Sequence, residues 1–167
     1  AMSYGDYVVT ESGFASDMGY EKFWNIKCRC SGLKPDAVVL VATVRALKAH
    51  GGARAVKAGL PLDAAYTTEN LDMLAKGCDN LLAHIDIIRR SGVQPVVCLN
   101  AFHTDTPAEC ALVAKMAADA GADFAVSDHW LKGGEGAREL AETVIAACEK
   151  PNSFNYLCDL GESLEER

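Results

Sequence analysis

Apolar residues along this chain fall into two kinds of pattern. Four runs are short and free of polar alternation: residues 7–10, Ala37–Ala42, 95–99 and 124–126. Continuous apolar runs of this length mark strands covered on both faces, as in a parallel sheet. Elsewhere the apolar residues recur at steps of three and four. Leu71, Leu74, Cys78, Leu81, Ile85 and Ile88 make one stripe down a long amphipathic helix. Ala137, Leu140, Ala141, Val144, Ile145 and Cys148 make the stripe of a last helix, which ends before Pro151. Between these lies a sharp helix start: Thr106 as N-cap, Pro107 in the first turn and Glu109 three residues after Thr106, the elements of a capping box.

Strand then helix, repeated, predicts an α/β fold with a mostly parallel sheet flanked by helices. Two stretches break the rhythm. Residues 11–19 are a Gly/Ser/Asp-rich loop after the first strand, and 50–68 is a longer connection holding Gly51, Gly52, Gly59 and Pro61. Loops at the carboxyl ends of strands are where open α/β sheets bind ligands.

Composition narrows the classes. With 167 residues and 50% of them hydrophobic, the chain suffices for one domain with a real core. A formal net charge of −7 opposes polyanion binding, and no Lys/Arg run overrules it, so neither nucleic acid nor an anionic membrane is expected as a partner. No apolar stretch approaches the roughly 20 residues of a membrane-spanning helix. Seven cysteines, several at apolar positions (Cys78, Cys98, Cys110, Cys148), suit buried thiols in a reducing compartment, and a cytoplasmic protein is expected. Ala1 before Met2 reads as a tag scar, and residues 162–167 read as a first helical turn cut short. The expectation is a single α/β fragment, 1–167, of a longer chain.

The chemistry gathers at strand ends. Asn100, Ala101, Phe102 and His103 leave the third predicted strand just before the capped helix. Ser127, Asp128, His129 and Trp130 leave the next, followed by Gly133-Gly134-Glu135-Gly136. Two readings of Phe102 and Trp130 fit: ring faces that sandwich a planar heterocycle, or satellites packed on neighbouring helices. Thr10, Glu11, Ser12 and Phe14 form a third tip, or a polar loop with Phe14 tucked inward. The glycine run lacks the GxxxxGK[ST] and GxGxxG spacings, and serves equally as a turn into the last helix. Cys28-Arg29-Cys30 is too closely spaced for a structural zinc pair and has no second pair. His84 is expected on the solvent side of its helix. His103 and His129, near the tips, suit lining roles better than proton transfer.

Three runs together, Gly5-Asp6-Tyr7-Val8-Val9-Thr10-Glu11-Ser12-Gly13-Phe14, Val41-Ala42-Thr43-Val44-Arg45-Ala46-Leu47-Lys48-Ala49-His50-Gly51-Gly52 and Leu99-Asn100-Ala101-Phe102-His103-Thr104-Asp105-Thr106, resemble the formate–tetrahydrofolate ligases. Glu21-Lys22-Phe23, Asn25-Ile26-Lys27-Cys28-Arg29 and Trp130-Leu131-Lys132-Gly133-Gly134-Glu135-Gly136 extend the likeness along the chain in the same order. The resemblance implies a piece of a P-loop NTPase-like three-layer fold. It also implies an ATP-dependent carbon–nitrogen ligase of one-carbon metabolism, which joins formate to tetrahydrofolate through formyl phosphate and yields 10-formyltetrahydrofolate.

By the same resemblance, Phe102, His103 and Trp130 are folate-binding, and Phe14, Asn100, Val126 and Ser127 line the nucleotide. Magnesium rides on the ATP phosphates, no tightly bound cofactor or protein metal ligand is expected, and the parent is a homo-oligomer. Its catalytic residues are not assigned. Many relatives carry proline where His103 stands, and smaller residues at Ser12, Ala15 and Ser16. Folate affinity is therefore expected to differ, and Asp128 and His129 are given no catalytic role. The chain contains no GxxxxGK[ST], so the isolated piece is expected to be inactive. The alternative is a stand-alone folate- or nucleotide-binding module without catalysis, and a third possibility is a piece that binds nothing and pairs through exposed strand edges.

Overall fold

The structure is a computed structural model describing residues 2–161 and 163. Its strands are β1 (Ala37–Ala42), β2 (Gln94–Asn100) and β3 (Asp123–Ser127). Its α-helices are α1 (Cys28–Ser31), α2 (Val44–His50), α3 (Leu71–Arg90), α4 (Pro107–Asp119), α5 (His129–Lys132) and α6 (Arg138–Cys148). The strands form one parallel sheet in the order β1-β2-β3, with Val39 opposite Val96 and Asn100 opposite Ser127. This is the α/β architecture that the alternating pattern predicts.

The central strand explains its own sequence. Val97 and Leu99 join the main core with Leu74, Cys78, Leu81 and Ile85 of α3 and Val113 and Ala117 of α4. Val96 and Cys98, one residue out of phase, point to the other face and are buried too. There α6 touches all three strands. A strand covered on both faces has no position for a polar residue, hence the unbroken run.

The α3 stripe is buried as its spacing requires, apart from Leu71 at the exposed first turn. Where α3 crosses α2, Gly77 lies so close to the Leu47 carbonyl that an added Cβ would overlap it. The last-helix stripe is only partly covered. Ala147 is buried, Leu140, Val144 and Cys148 are half-buried, and Ala141 and Ile145 are exposed, because three strands give α6 a narrow platform. His84 is half-buried, not solvent-facing, and its Nδ1 is enclosed without a hydrogen-bond partner.

Two expectations near the start of the chain are corrected. Residues 7–10 are not a strand: no strand among the described residues pairs with them, and Tyr7, Val8 and Val9 are exposed. β-Branched residues favour extended backbone, but a strand needs a neighbour to take its N–H and C=O groups. Nor are residues 11–19 a simple loop. They enter a π-helical segment, Ala15–Tyr20, followed by a second, Phe23–Lys27, that runs into α1. The expected terminal features, the scar at Ala1 and the helical turn at 162–167, fall wholly or largely outside the described residues.

A second cluster fastens this helical region to the far end of the chain. Tyr20, Trp24 and Ile88 are buried against Phe23, Val38, Leu40, Phe154 and Tyr156. Trp24 Nε1 donates to the Asn155 carbonyl at 2.6 Å, and the Tyr20 and Ser91 hydroxyls share a hydrogen bond of 2.7 Å. Arg29 lies over the Tyr156 ring and donates to the Cys158 carbonyl. Burial pushes the Tyr20 phenol up to about 12, despite the Ser91 hydrogen bond.

Candidate functional site at the strand tips

The carboxyl ends of β2 and β3 are tied together one residue past the sheet. Asn100 pairs with Ser127, and the Ala101 N–H donates to the Ser127 carbonyl at 2.9 Å. The chain then turns at Phe102. Its N–H donates to Asp105 Oδ2 at 2.9 Å, and its carbonyl accepts the Asp105 N–H at 3.0 Å. The turn delivers the backbone to the predicted capping box. Thr106 Oγ1 accepts the Glu109 N–H and Glu109 Oε2 accepts the Thr106 N–H, both at 3.2 Å.

Beneath the turn is a buried ion pair. Lys48 Nζ lies 2.6 Å from Glu109 Oε1, with side chains 1% and 0% exposed. Lys48 also donates to the Thr68 carbonyl at 2.8 Å, and Glu109 Oε1 accepts the Asn70 N–H at 3.1 Å. Burial by itself would raise the Glu109 carboxyl. The Lys48 ammonium and the Asn70 and Thr106 amides outweigh it and hold Glu109 below the usual carboxylate range. Asp105 goes the other way: burial and the nearby Glu109 charge raise it, against the Phe102 amide, Arg45 and Lys48. Asp105 Oδ1 is enclosed without a hydrogen-bond partner.

Arg45, in the first turn of α2, reaches the same turn from the tip of β1. Its guanidinium carbon sits 4.1 Å from the centre of the Phe102 ring, and Nη2 donates to Thr104 Oγ1 at 3.2 Å. Its Nε is enclosed without a partner. Phe102 is still 36% exposed, and His103 beside it is exposed.

At the β3 tip, the buried Ser127 hydroxyl lies 2.8 Å from His129 Nδ1. The Asp128 N–H donates to the Gly136 carbonyl at 3.1 Å, closing the segment 128–136 on itself. Trp130 is in α5, a helical turn within that closed segment and not the open loop its sequence suggests, and it is 89% exposed. Val126, half-buried, lines a shallow cleft of about 320 Å³ with Asp128, Lys132, Glu135, Gly136 and Glu139. Lys132 pairs with Asp128 at 2.6 Å and Arg138 with Glu135 at 2.7 Å, which leaves the lining without an excess of positive charge.

Asn100, Phe102, His103, Val126 and Ser127 therefore share one sheet edge, with Trp130 on the next turn. Phe14 is joined to neither tip. It sits in the bend before the π-helical segment, its carbonyl accepting the Gly19 N–H, and is 93% exposed, not tucked inward. A smaller cavity of about 70 Å³, lined by Arg54, Lys57, Pro61 and Tyr66 among others, contains none of these residues. Cys28 is buried and Cys30 exposed, and no group of three or more His, Cys, Asp or Glu among the described residues is placed to hold a metal ion.

Sequence reasoning missed Arg45, Asp105 and the Lys48–Glu109 pair. Val44, Leu47 and Lys48 stand at the i, i+3, i+4 spacing that puts Lys48 on the buried face of α2, a usable signal. Arg45, two residues past Thr43 at a strand end, obeys the same tip rule that singles out Phe102.

The family model for formate–tetrahydrofolate ligase matches residues 1–167. The chain is 57% identical over its whole length to the formate–tetrahydrofolate ligase of Dehalococcoides mccartyi, and 56% over its whole length to that of Desulfovibrio desulfuricans. It is 59% identical over 97% of its length to that of Desulfosudis oleivorans. It spans 28% of the length of each of these relatives. With the match running unbroken through all three strands and both aromatic tips, the chain belongs to the formate–tetrahydrofolate ligase family.

Proposed function

We propose that this chain is part of a longer, ATP-dependent formate–tetrahydrofolate ligase that makes 10-formyltetrahydrofolate by way of formyl phosphate. In this reading it supplies the folate-stacking platform and part of the nucleotide pocket. The observation that carries it is the pairing of two aromatic tips, Phe102 and Trp130, on strands joined by the Ala101–Ser127 hydrogen bond. Both rings lie beyond the sheet's carboxyl edge with exposed surface, where a planar pterin finds stacking partners.

Phe102, His103 and Trp130 face the folate. Asn100, Val126 and Ser127 form the base side of the nucleotide site, to which Phe14 is added from the bend before the π-helical segment. Asn100 offers both amide donor and carbonyl acceptor to a purine edge. Magnesium is carried on the ATP phosphates, and no catalytic role is assigned to a residue of this chain. The three-stranded sheet is read as part of a larger P-loop NTPase-like sheet. The phosphate-binding loop lies in another part of the polypeptide, so the 167-residue piece alone does not turn over. The complete enzyme is a cytoplasmic homo-oligomer acting on formate, ATP and tetrahydrofolate, not on nucleic acid or membranes.

Steady-state kinetics of the full-length ligase with Trp130→Ala and Asn100→Ala test this. Stacking on an aromatic ring is worth about 1–3 kcal/mol per base, so Trp130→Ala should raise the KM for tetrahydrofolate by roughly 5- to 150-fold. Asn100→Ala should raise the KM for ATP instead. A folate KM unmoved by Trp130→Ala removes the platform from this segment.

A further inference from the structure

Arg45 covers one face of the Phe102 ring, its guanidinium carbon 4.1 Å from the ring centre, and its Nη2 is tied to Thr104 Oγ1 at 3.2 Å. The backbone under the ring is fixed separately, by the Phe102 amide to Asp105 Oδ2. A ring so held is still 36% exposed, so it keeps surface on which a heterocycle can stack. A cation against one face draws π-electron density toward itself. The opposite face becomes less electron-rich and a better partner for an electron-rich heterocycle.

We propose that Arg45 is a positioning residue for the folate platform: it fixes the Phe102 ring from behind and polarises it toward the electron-rich aminopyrimidinone of the pterin. The inference rests on the reading of Phe102 as a folate contact and adds a specificity determinant on α2. A guanidinium suits the task because it stacks flat on an aromatic face while an edge N–H remains available to Thr104, which a lysine ammonium does not combine. Thr104 keeps the plane over the ring. The contact therefore acts on how well folate stacks and not on the chemistry of the formyl group.

The test is kinetic, in the full-length ligase, with Arg45→Met, Arg45→Lys, Thr104→Val and Phe102→Leu. Arg45→Met keeps an apolar stem over the ring and removes the charge. It should raise the KM for tetrahydrofolate about fivefold, with kcat and the KM values for ATP and formate held within about twofold. Arg45→Lys should recover part of the loss, and Thr104→Val should show a smaller rise with the same selectivity. Thermal midpoints should stay within about 2 °C of the parent. Equal rises in all three KM values with a lowered midpoint would make Arg45 a structural residue and overturn the proposal. A folate KM raised by Phe102→Leu but untouched by Arg45→Met overturns the role of Arg45 and leaves the platform standing. A folate KM untouched by Phe102→Leu removes the platform itself.

Discussion

Lys48 Nζ lies 2.6 Å from Glu109 Oε1, and neither side chain is open to water. The pair joins α2 to the first turn of α4 directly under the Phe102 turn. Removing one partner leaves an uncompensated buried charge, at a cost of about 3–5 kcal/mol. Lys48→Met should lower the unfolding free energy by that amount in urea titrations, with the Glu109→Gln cost recovering much of itself in the double variant. A Lys48→Met loss of less than about 1 kcal/mol would mean that the ion pair is structurally idle.

The same pair sets an acid limit. Glu109 is held below its ordinary value of 4.5, so its contribution to stability is complete above that pH and is lost as pH falls through the lower folded value. Asp105 is held above 3.8, so its buried charge costs stability near neutrality and that cost fades on acidification. The two trends oppose each other. Asp105→Asn should therefore steepen the loss of stability below pH 4.5, read from urea midpoints at successive pH values.

Thr106 makes two bonds from one hydroxyl: it accepts the Glu109 N–H and donates to Glu69 Oε2 at 2.6 Å. Thr106→Ala loses both and should cost about 1–2 kcal/mol, whereas Thr106→Ser should cost a few tenths. Equal effects of the two changes in equilibrium denaturation would place the stabilisation in the Thr methyl group.

Gly77 reverses a general rule. Glycine-to-alanine changes inside a helix ordinarily stabilise by up to about 1 kcal/mol. Here the added Cβ overlaps the Leu47 carbonyl, so Gly77→Ala should destabilise by about 1–3 kcal/mol as α2 is forced from α3. Calorimetric melting of the variant measures the sign directly.

The strands of the sheet and the long helices are legible in sequence because each is specified locally. Val96 to Leu99 are apolar on both faces, Leu74 to Ile88 keep helical spacing, and Thr106 and Glu109 cap each other within one turn. Residues 7–10 carry the same β-branched signal as the strands, but pairing is a property of a neighbour and not of the run itself. The π-helical segments are hidden for a related reason. In the first of them Gly19 lies so close to the Gly13 carbonyl that no side chain fits there, a local backbone fit that reads in sequence as loop-like glycine content. At the site, Phe102 and Trp130 are visible as aromatics beyond strand ends. Arg45 acts through contacts between the β1 and β2 tips, which lie far apart in the chain, whereas Asp105 is a short-range partner of the Phe102 amide whose burial depends on the packing around it.

The indole hydrogen bond from Trp24 to Asn155 joins positions 131 residues apart. A chain made from its amino terminus exposes Trp24 and Tyr20 well before the segment that covers them has been synthesised. The sheet and α3 can condense first, but the 15–31 region has to wait, with its largest apolar ring uncovered, for the last tenth of this sequence to arrive. Closure of the 15–31 region is thus timed by residues 154–156, and until they arrive its aromatic face stays partly open.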